Sequence, residues 1–511
     1  MKRTAMLFLL ALGVVLAASP AFAGGTAESG GAVPTLKYYF IAQQANPDEL
    51  ALVQSSLNKL VTPKIGAKIE IHTLNFQDVT TKIPLMLSSG DDVDLVSDST
   101  FAPYSNAVGT GGLRALDDLI PANAPATWKE YPKEIWNATR IDGKIYMVPS
   151  YKPQPSYAGV WPRKDLVDKY HFDWQAPTKW EDWEPFFDAI LQNEPGITPI
   201  LSGDGYWGRI WFPNYYGFDS VDKGVGAPKA QGILGVRVRD ASRKIVATPF
   251  TQEYKDSITL MRKWYLKGYV LKTPPTGAEM NTMRSSLKFA SFVVPFVANW
   301  STVAMGQNEW SGATILQARV QRVAIVTTNS VTGSGTSVTR VSKHPDLAVK
   351  FIDQMFQNSD VNNLLNFGIE GKDYVFVDKA KGIVAYAPGV TGQTAAWNPN
   401  TYWQFGYNPN QYVFDPADLV ARQKDAADIK AGIYSPVMGF TPSRDAVKNQ
   451  IAAVVSVCQQ YGEPLELGLV DPDDSQNGLA VFQQKLKEAG IDAILADYQK
   501  QIDTWAANNA K

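Results

Sequence analysis

Cysteine is almost missing from this chain: Cys458 is the only one in 511 residues. One thiol makes no intrachain disulfide, so the fold must rest on apolar burial, and Cys458 reads as a small buried hydrophobe. Histidine is nearly as scarce. His72, His171 and His344 stand far apart, with no H-x-x-x-H pair, which argues against a His-built zinc site or a His-dependent triad. They read instead as a strand-face, a loop and a helix-start residue. Charge of one sign is missing too: 48 Lys and Arg against 50 Asp and Glu leave −2, with no basic footprint for nucleic acid or anionic lipid.

Motifs for group transfer are also lacking. The runs GTGG at 109 and GSG at 333 are not followed by the Lys-Ser/Thr of a phosphate cradle, and there is no G-x-S-x-G elbow. The acidic runs Asp91-Asp92-Asp94-Asp98 and Asp471-Asp473-Asp474 lack the twelfth-position Glu of a calcium loop. No cofactor and no metal are expected. A glycosidase needs only two carboxylates about 5–10 Å apart in space. A secreted carbohydrate-active enzyme therefore stays open as the alternative class.

Long apolar runs are confined to one place. Lys2 and Arg3 precede the stretch from Met6 to Ala18, and Ala21-Phe22-Ala23 precedes Gly24. That is the pattern of a secretory signal peptide over residues 1–23, too short for a membrane span. Residues 24–34, rich in Gly, read as a flexible tether.

What is plentiful is aromatic: 14 Trp, 22 Tyr and 22 Phe. Most must fill cores, but an excess of Trp and Tyr suits a cleft that grips flat, amphipathic ligands. Along the chain, LKYYFI predicts a strand, and Asn46-Pro47-Asp48-Glu49 predicts a helix start. Ala67 to Thr73 alternates as a strand, a helix follows to Ser89-Gly90, and Asp94-Leu95-Val96 returns as a buried strand. This order predicts a mostly parallel α/β sheet. Further on, an amphipathic helix is expected over 252–267 and strands near 289 and 322. One helix is expected over 345–366, and two helices fill the last 35 residues.

Six segments in order carry a family resemblance. They are Leu87-Ser88-Ser89-Gly90-Asp91-Asp92-Val93-Asp94-Leu95-Val96, Ile141-Asp142-Gly143-Lys144-Ile145-Tyr146-Met147-Val148-Pro149 and Trp161-Pro162-Arg163-Lys164-Asp165-Leu166, then His344-Pro345-Asp346-Leu347-Ala348, Asn366-Phe367-Gly368-Ile369-Glu370-Gly371-Lys372-Asp373-Tyr374 and Lys485-Leu486-Lys487-Glu488-Ala489-Gly490-Ile491-Asp492. Together they resemble the family 1 extracellular solute-binding proteins, the class of maltose-binding protein. Within it they resemble a LipO-like subgroup with an uncharacterised C-terminal region. The resemblance implies a type II periplasmic-binding-protein-like fold, two α/β lobes joined by a hinge of several crossings. It also implies no catalysis, with capture of a small solute for the permease subunits of an ABC importer. Many relatives carry a lipid-anchoring cysteine at the cleavage site; this chain has none there, so a soluble, periplasmic monomer is expected. Lobe 1 is expected to hold 35–150 and 296–340, and lobe 2 to hold 151–295 and 341–511, with crossings near 150–158, 292–300 and 335–342.

Ligand is expected where the strand ends of both lobes meet. Gln43 and Gln44 follow the first strand, and Ser97 and Asp98 lie at the end of the Asp94 strand. In the relatives these loops touch sugars. Tyr151 and Tyr157 flank the first crossing, and Trp207 and Trp211 sit in an aromatic patch among Gly and Pro. Asn299 and Trp300 fall at the second expected crossing. Trp403 lies in an irregular loop, and Phe440 precedes a helix. A sugar face stacked on Trp buries C–H groups against the negative face of the ring, so the expected ligand is a carbohydrate, an oligosaccharide or glycoside.

Overall fold

The computed structural model describes residues 32–99, 104–151, 157–201, 215–222, 224–226, 232–296, 312–320, 324–392, 394–399, 402–404 and 406–509. In chain order its main elements begin with β1 (Thr35–Ile41), α1 (Pro47–Ile65), β2 (Lys68–Leu74), α2 (Phe76–Ser89) and β3 (Leu95–Ser99). Next come β4 (Val148–Pro149), β5 (Tyr157–Pro162), β6 (Thr198–Leu201), β7 (Phe218–Ser220), β8 (Leu234–Arg237), β9 (Ile245–Ala247) and α3 (Gln252–Lys267). Then follow β10 (Phe289–Phe296), β11 (Ala318–Arg319), β12 (Ile325–Val326), β13 (Ser334–Val338), α4 (Pro345–Gln357) and α5 (Ser359–Phe367). The chain closes with β14 (Ile433–Tyr434), α6 (Leu479–Glu488) and α7 (Ile491–Asn509).

The first sheet has the order β2-β1-β3-β13-β4. Its first three strands are parallel, as the opening strand–helix alternation predicts, and β13 runs antiparallel to β3 and β4. Asn46 caps α1 by accepting the Asp48 N–H at 3.0 Å. Gly90 and Gly143 take the positive φ their turns need, 74° and 77°. Val53, Leu57 and Val61 of α1 pack into one core with Phe351, Ile352 and Met355 of α4 and Val361 and Leu365 of α5. The expected single helix over 345–366 is two. Asn358 breaks it by turning its side chain to cap α5, accepting the Asp360 N–H at 3.1 Å.

The second sheet, β11-β5-β10-β6, carries its own core, with Trp180, Trp183, Phe187 and Trp264 all 0–1% exposed. A third, three-stranded sheet β7-β8-β9 is covered by α3, α6 and α7. Leu479, Phe482 and Leu486 of α6 and Ile491, Tyr498 and Ile502 of α7 are the buried stripe on these last helices. The C-terminal segment thus completes a core. Asp222 ties it down: its carboxylate accepts from Arg444 Nε at 2.9 Å, from Arg444 Nη2, and from the Tyr498 hydroxyl at 2.6 Å.

Two expected crossings move. Strand β10 stays within the second sheet, and the chain returns to that sheet at β11, so the passage to the first sheet lies between Arg319 and Ser334 rather than at 292–300. Helices α4 and α5, expected in lobe 2, belong to the core of the first sheet because their apolar faces meet α1. The last passage is therefore not at 335–342 but after β14, where Val437 enters the core of the third sheet. The two later passages meet: β12 and β14 form a two-stranded parallel ladder, Ile325 beside Ile433 and Val326 beside Tyr434. The first passage leaves the first sheet at Pro149, and the second sheet begins at Tyr157. The three histidines sit as read, on a strand face, in a loop at φ 50°, and before α4. Among the described residues no helix is long and apolar enough to cross a membrane.

Candidate ligand-binding site

Because β1, β2 and β3 are parallel, Ile41, Leu74 and Ser99 end on one edge of the first sheet. Ser334 opens β13 opposite Ser99, and Pro149 closes β4 opposite Gly335, on the same edge. In the second sheet β10 ends at Phe296 opposite Tyr157, and β6 runs parallel to β10. Residues 150–156 join these two edges, a chain length that reaches at most roughly 25–30 Å. Strand ends of this kind are where open α/β sheets receive ligands.

The described residues of the run 396–411 bond to the first edge. Gln44 and Ala45 pair with Asn398 and Trp397, and the Gln43 N–H donates to Pro399 O at 3.1 Å. The Ser334 hydroxyl donates to Trp403 O at 2.8 Å and the Ser150 hydroxyl to Gln404 O at 2.5 Å. Tyr151 is bracketed: its N–H donates to Gly406 O and its carbonyl accepts from Asn408 N–H, each at 2.9 Å. The half-buried rings of Tyr151 and Tyr407 sit 4.6 Å apart, and Tyr151 stacks at 5.3 Å on buried Tyr131. The Tyr131 hydroxyl donates to Pro149 O at 2.5 Å.

Burial raises the phenol of Tyr151 above its ordinary range, with the Glu130 carboxylate adding to it. Burial and a hydrogen bond to Glu130 push Tyr407 higher. Both hydroxyls stay protonated across the physiological range, each a donor and an acceptor, which is what sugar hydroxyls require.

The expected site residues separate into three groups. Gln43 is exposed, while Gln44, Tyr151 and Trp403 are half-buried, and all four gather at the first edge. Asp98 and Tyr157 lie by their backbone at the ends of interior strands, β3 and β5. Trp207, Trp211, Asn299 and Trp300 fall outside the described residues. Ser97 is a correction: it is 1% exposed and its hydroxyl donates to Gly335 O at 3.4 Å, so it serves the sheet. Phe440 is another. It is 6% exposed, packs edge-on against Trp505 at 6.0 Å, and belongs to the C-terminal core. Tyr407 and Gln404 escape the sequence reading, since nothing in WNPNTYWQFGYNPNQY separates edge residues from loop residues.

A concavity lies beside this edge. Two adjoining cavities of 590 and 760 Å³ share Asn137, Arg140, Gly143 and Asn508 and run between the 133–143 segment and α7, with Phe440 and Trp505 on their wall. Tyr131, on the wall of the smaller cavity, also stacks on Tyr151, so the groove adjoins the strand-end edge on that side. Among the described residues no cluster of His, Cys, Asp and Glu suits a metal.

Two α/β bodies joined by three passages of the chain make a two-lobed fold. The chain belongs to the bacterial extracellular solute-binding protein family, whose model matches residues 50–361. It is accordingly a binding protein and not an enzyme. Residues 436–507 match a domain of unknown function. A carbohydrate ABC transporter substrate-binding protein of Streptococcus pneumoniae serotype 4 is 24% identical over 98% of this chain and 97% of its own. Among solved structures, an N-glycan transport solute-binding protein of the same species superposes with TM-score 0.79 at 21% identity, covering 94% of this chain and 100% of that one. Its complex with Man5GlcNAc gives 0.71 at 21% identity, over 93% and 99%. An extracellular solute-binding protein from Bifidobacterium longum subsp. infantis gives 0.61 at 16% identity, over 92% and 98%.

Proposed function

We propose that this chain is the solute-capturing component of an ABC importer, and that its ligand is an oligosaccharide held between the two sheets' strand ends. The observation that carries this reading is the end-to-end match to the pneumococcal carbohydrate ABC transporter substrate-binding protein. The chemistry of the first edge agrees: Trp403, Tyr151 and Tyr407 offer ring faces, and Gln43 and Gln44 offer amides. Asp98, Tyr157, Trp207, Trp211, Asn299 and Trp300 complete the proposed contacts. Closure is a rotation about the 150–156 segment and the β12–β14 ladder. Residues 1–23 direct export, and the mature chain acts as a soluble periplasmic monomer that delivers its ligand to the permease subunits.

The test is thermal unfolding of residues 24–511 with a panel of Man5GlcNAc, kestose, other oligosaccharides, amino acids and short peptides. A ligand at a thousandfold excess over its Kd adds about 4 kcal/mol. A shift with one oligosaccharide class, and no product after long incubation, supports the reading. A shift with peptides or amino acids alone sinks the carbohydrate claim.

A further inference from the structure

We infer that Gln404 is a positioning residue for ligand capture: its buried amide fixes the chain that leaves β1, so that Gln43 and Gln44 face the cleft in one geometry. The inference rests on the strand-end edge being the ligand site. Gln404 is 0% exposed. Its Oε1 accepts the Ile41 N–H at 2.7 Å, and its Nε2 donates to Ile41 O at 2.9 Å. One side chain thus reproduces both hydrogen bonds of a neighbouring strand. It does so where such a neighbour is lost, because β3 pairs with β1 only at Tyr38 and Tyr39 and then follows β13.

Beyond Ile41 the hold continues without a break. The Ala42 N–H donates to Leu74 O at 2.9 Å, the Gln43 N–H to Pro399 O at 3.1 Å, and the Asn46 N–H to Ala396 O at 2.8 Å. The amide is itself anchored, since Gln404 O takes the Ser150 hydroxyl and Trp403 O the Ser334 hydroxyl. Trp403 and Gln404 together therefore link the ends of β1, β4 and β13. A loop ordered before ligand arrives loses no backbone freedom on binding, so its contacts go undiminished into affinity. The consequence is that Gln404, with its side chain out of the cleft, sets the affinity of a site it does not touch.

The experiment compares wild type with Gln404→Leu and Gln404→Glu by amide hydrogen exchange of the ligand-free protein and by titration with Man5GlcNAc and kestose. Leucine removes both hydrogen bonds, whereas glutamate keeps the acceptor and loses the donor. Both variants are expected to hold the loop less firmly than wild type, glutamate because its carboxylate faces the Ile41 carbonyl without a donor. In Gln404→Leu, exchange over 41–46 speeds by about tenfold or more and affinity falls by about tenfold, while α4 stays protected. Should the leucine variant not fold, the glutamate variant carries the same two readouts. Unchanged exchange over 41–46, or fast exchange with unchanged affinity, overturns the assignment. Wild type that binds no oligosaccharide of the wider panel overturns the oligosaccharide reading instead, and exchange over 41–46 still decides whether Gln404 holds the loop.

Discussion

Arg444→Ala tests whether the C-terminal segment is part of the second lobe's fold. The carboxylate of Asp222, 6% exposed, accepts from two nitrogens of Arg444, from the Tyr498 hydroxyl and from the Gly224 N–H at 2.8 Å. Alanine at 444 leaves that carboxylate two donors and no cation. Removing one partner of a buried pair costs about 3–5 kcal/mol. The guanidinium side is 52% exposed, so part of its attraction is already screened by water, and about 2–3 kcal/mol is expected. Asp222→Ala is the milder arm: Arg444 turns to solvent, and the cost, about 1–2 kcal/mol, comes from the orphaned Tyr498 hydroxyl. The double variant should recover about 2 kcal/mol relative to the sum of the singles. Urea unfolding of all four proteins, with equal m-values, measures this. An Arg444→Ala loss below about 0.5 kcal/mol, or strict additivity, would refute the argument, because exposed pairs give that little.

Further outcomes follow from the same geometry. A Cβ on Gly224 would lie 2.2 Å from Arg444 Nη2, so Gly224→Ala should reproduce most of the Arg444→Ala loss by displacing the guanidinium, again by urea unfolding. Trp403→Ala should weaken oligosaccharide binding by about 2 kcal/mol in calorimetry, as lost aromatic anchors do. Phe440→Ala should leave affinity alone and lower stability by about 3 kcal/mol. Burial holds the Glu466 carboxyl up at about 7, against the donated Tyr254 hydroxyl at 3.0 Å. The unfolded value is about 4.3, so the folded state keeps the proton longer, and stability falls as pH rises from about 4 to 7 by about 3 kcal/mol and then levels. Glu466→Gln should flatten that slope in unfolding curves taken at pH 5 and pH 8.

Much of the fold was legible because its local rules agree. Asn46 before Pro47 and the alternation of Lys68–Leu74 each specify one element, and the stripe from Leu479 to Ile502 specifies the two last helices, without tertiary help. The crossings were not. Phe289–Phe296 reads as a strand in any sheet, and only its pairing with β5 places it. The stripe on α4 signals burial but not against which sheet. Ser97 was misjudged because a short polar residue near a strand end looks the same whether it faces the cleft or the next strand. Gln404 had no signal at all: its role depends on Ile41, 363 residues earlier.

The joining of β3 to β13 also bears on how the molecule is made. The Ser97 hydroxyl meets a carbonyl 238 residues further along the chain. Ribosomes add roughly 5–20 residues per second, so the open side of β3 waits roughly 10–50 s for its neighbour to emerge. Contacts this distant slow folding as well. A chain built so cannot close its first sheet early: the lobe's framework is completed only after the second sheet's strands have already been made.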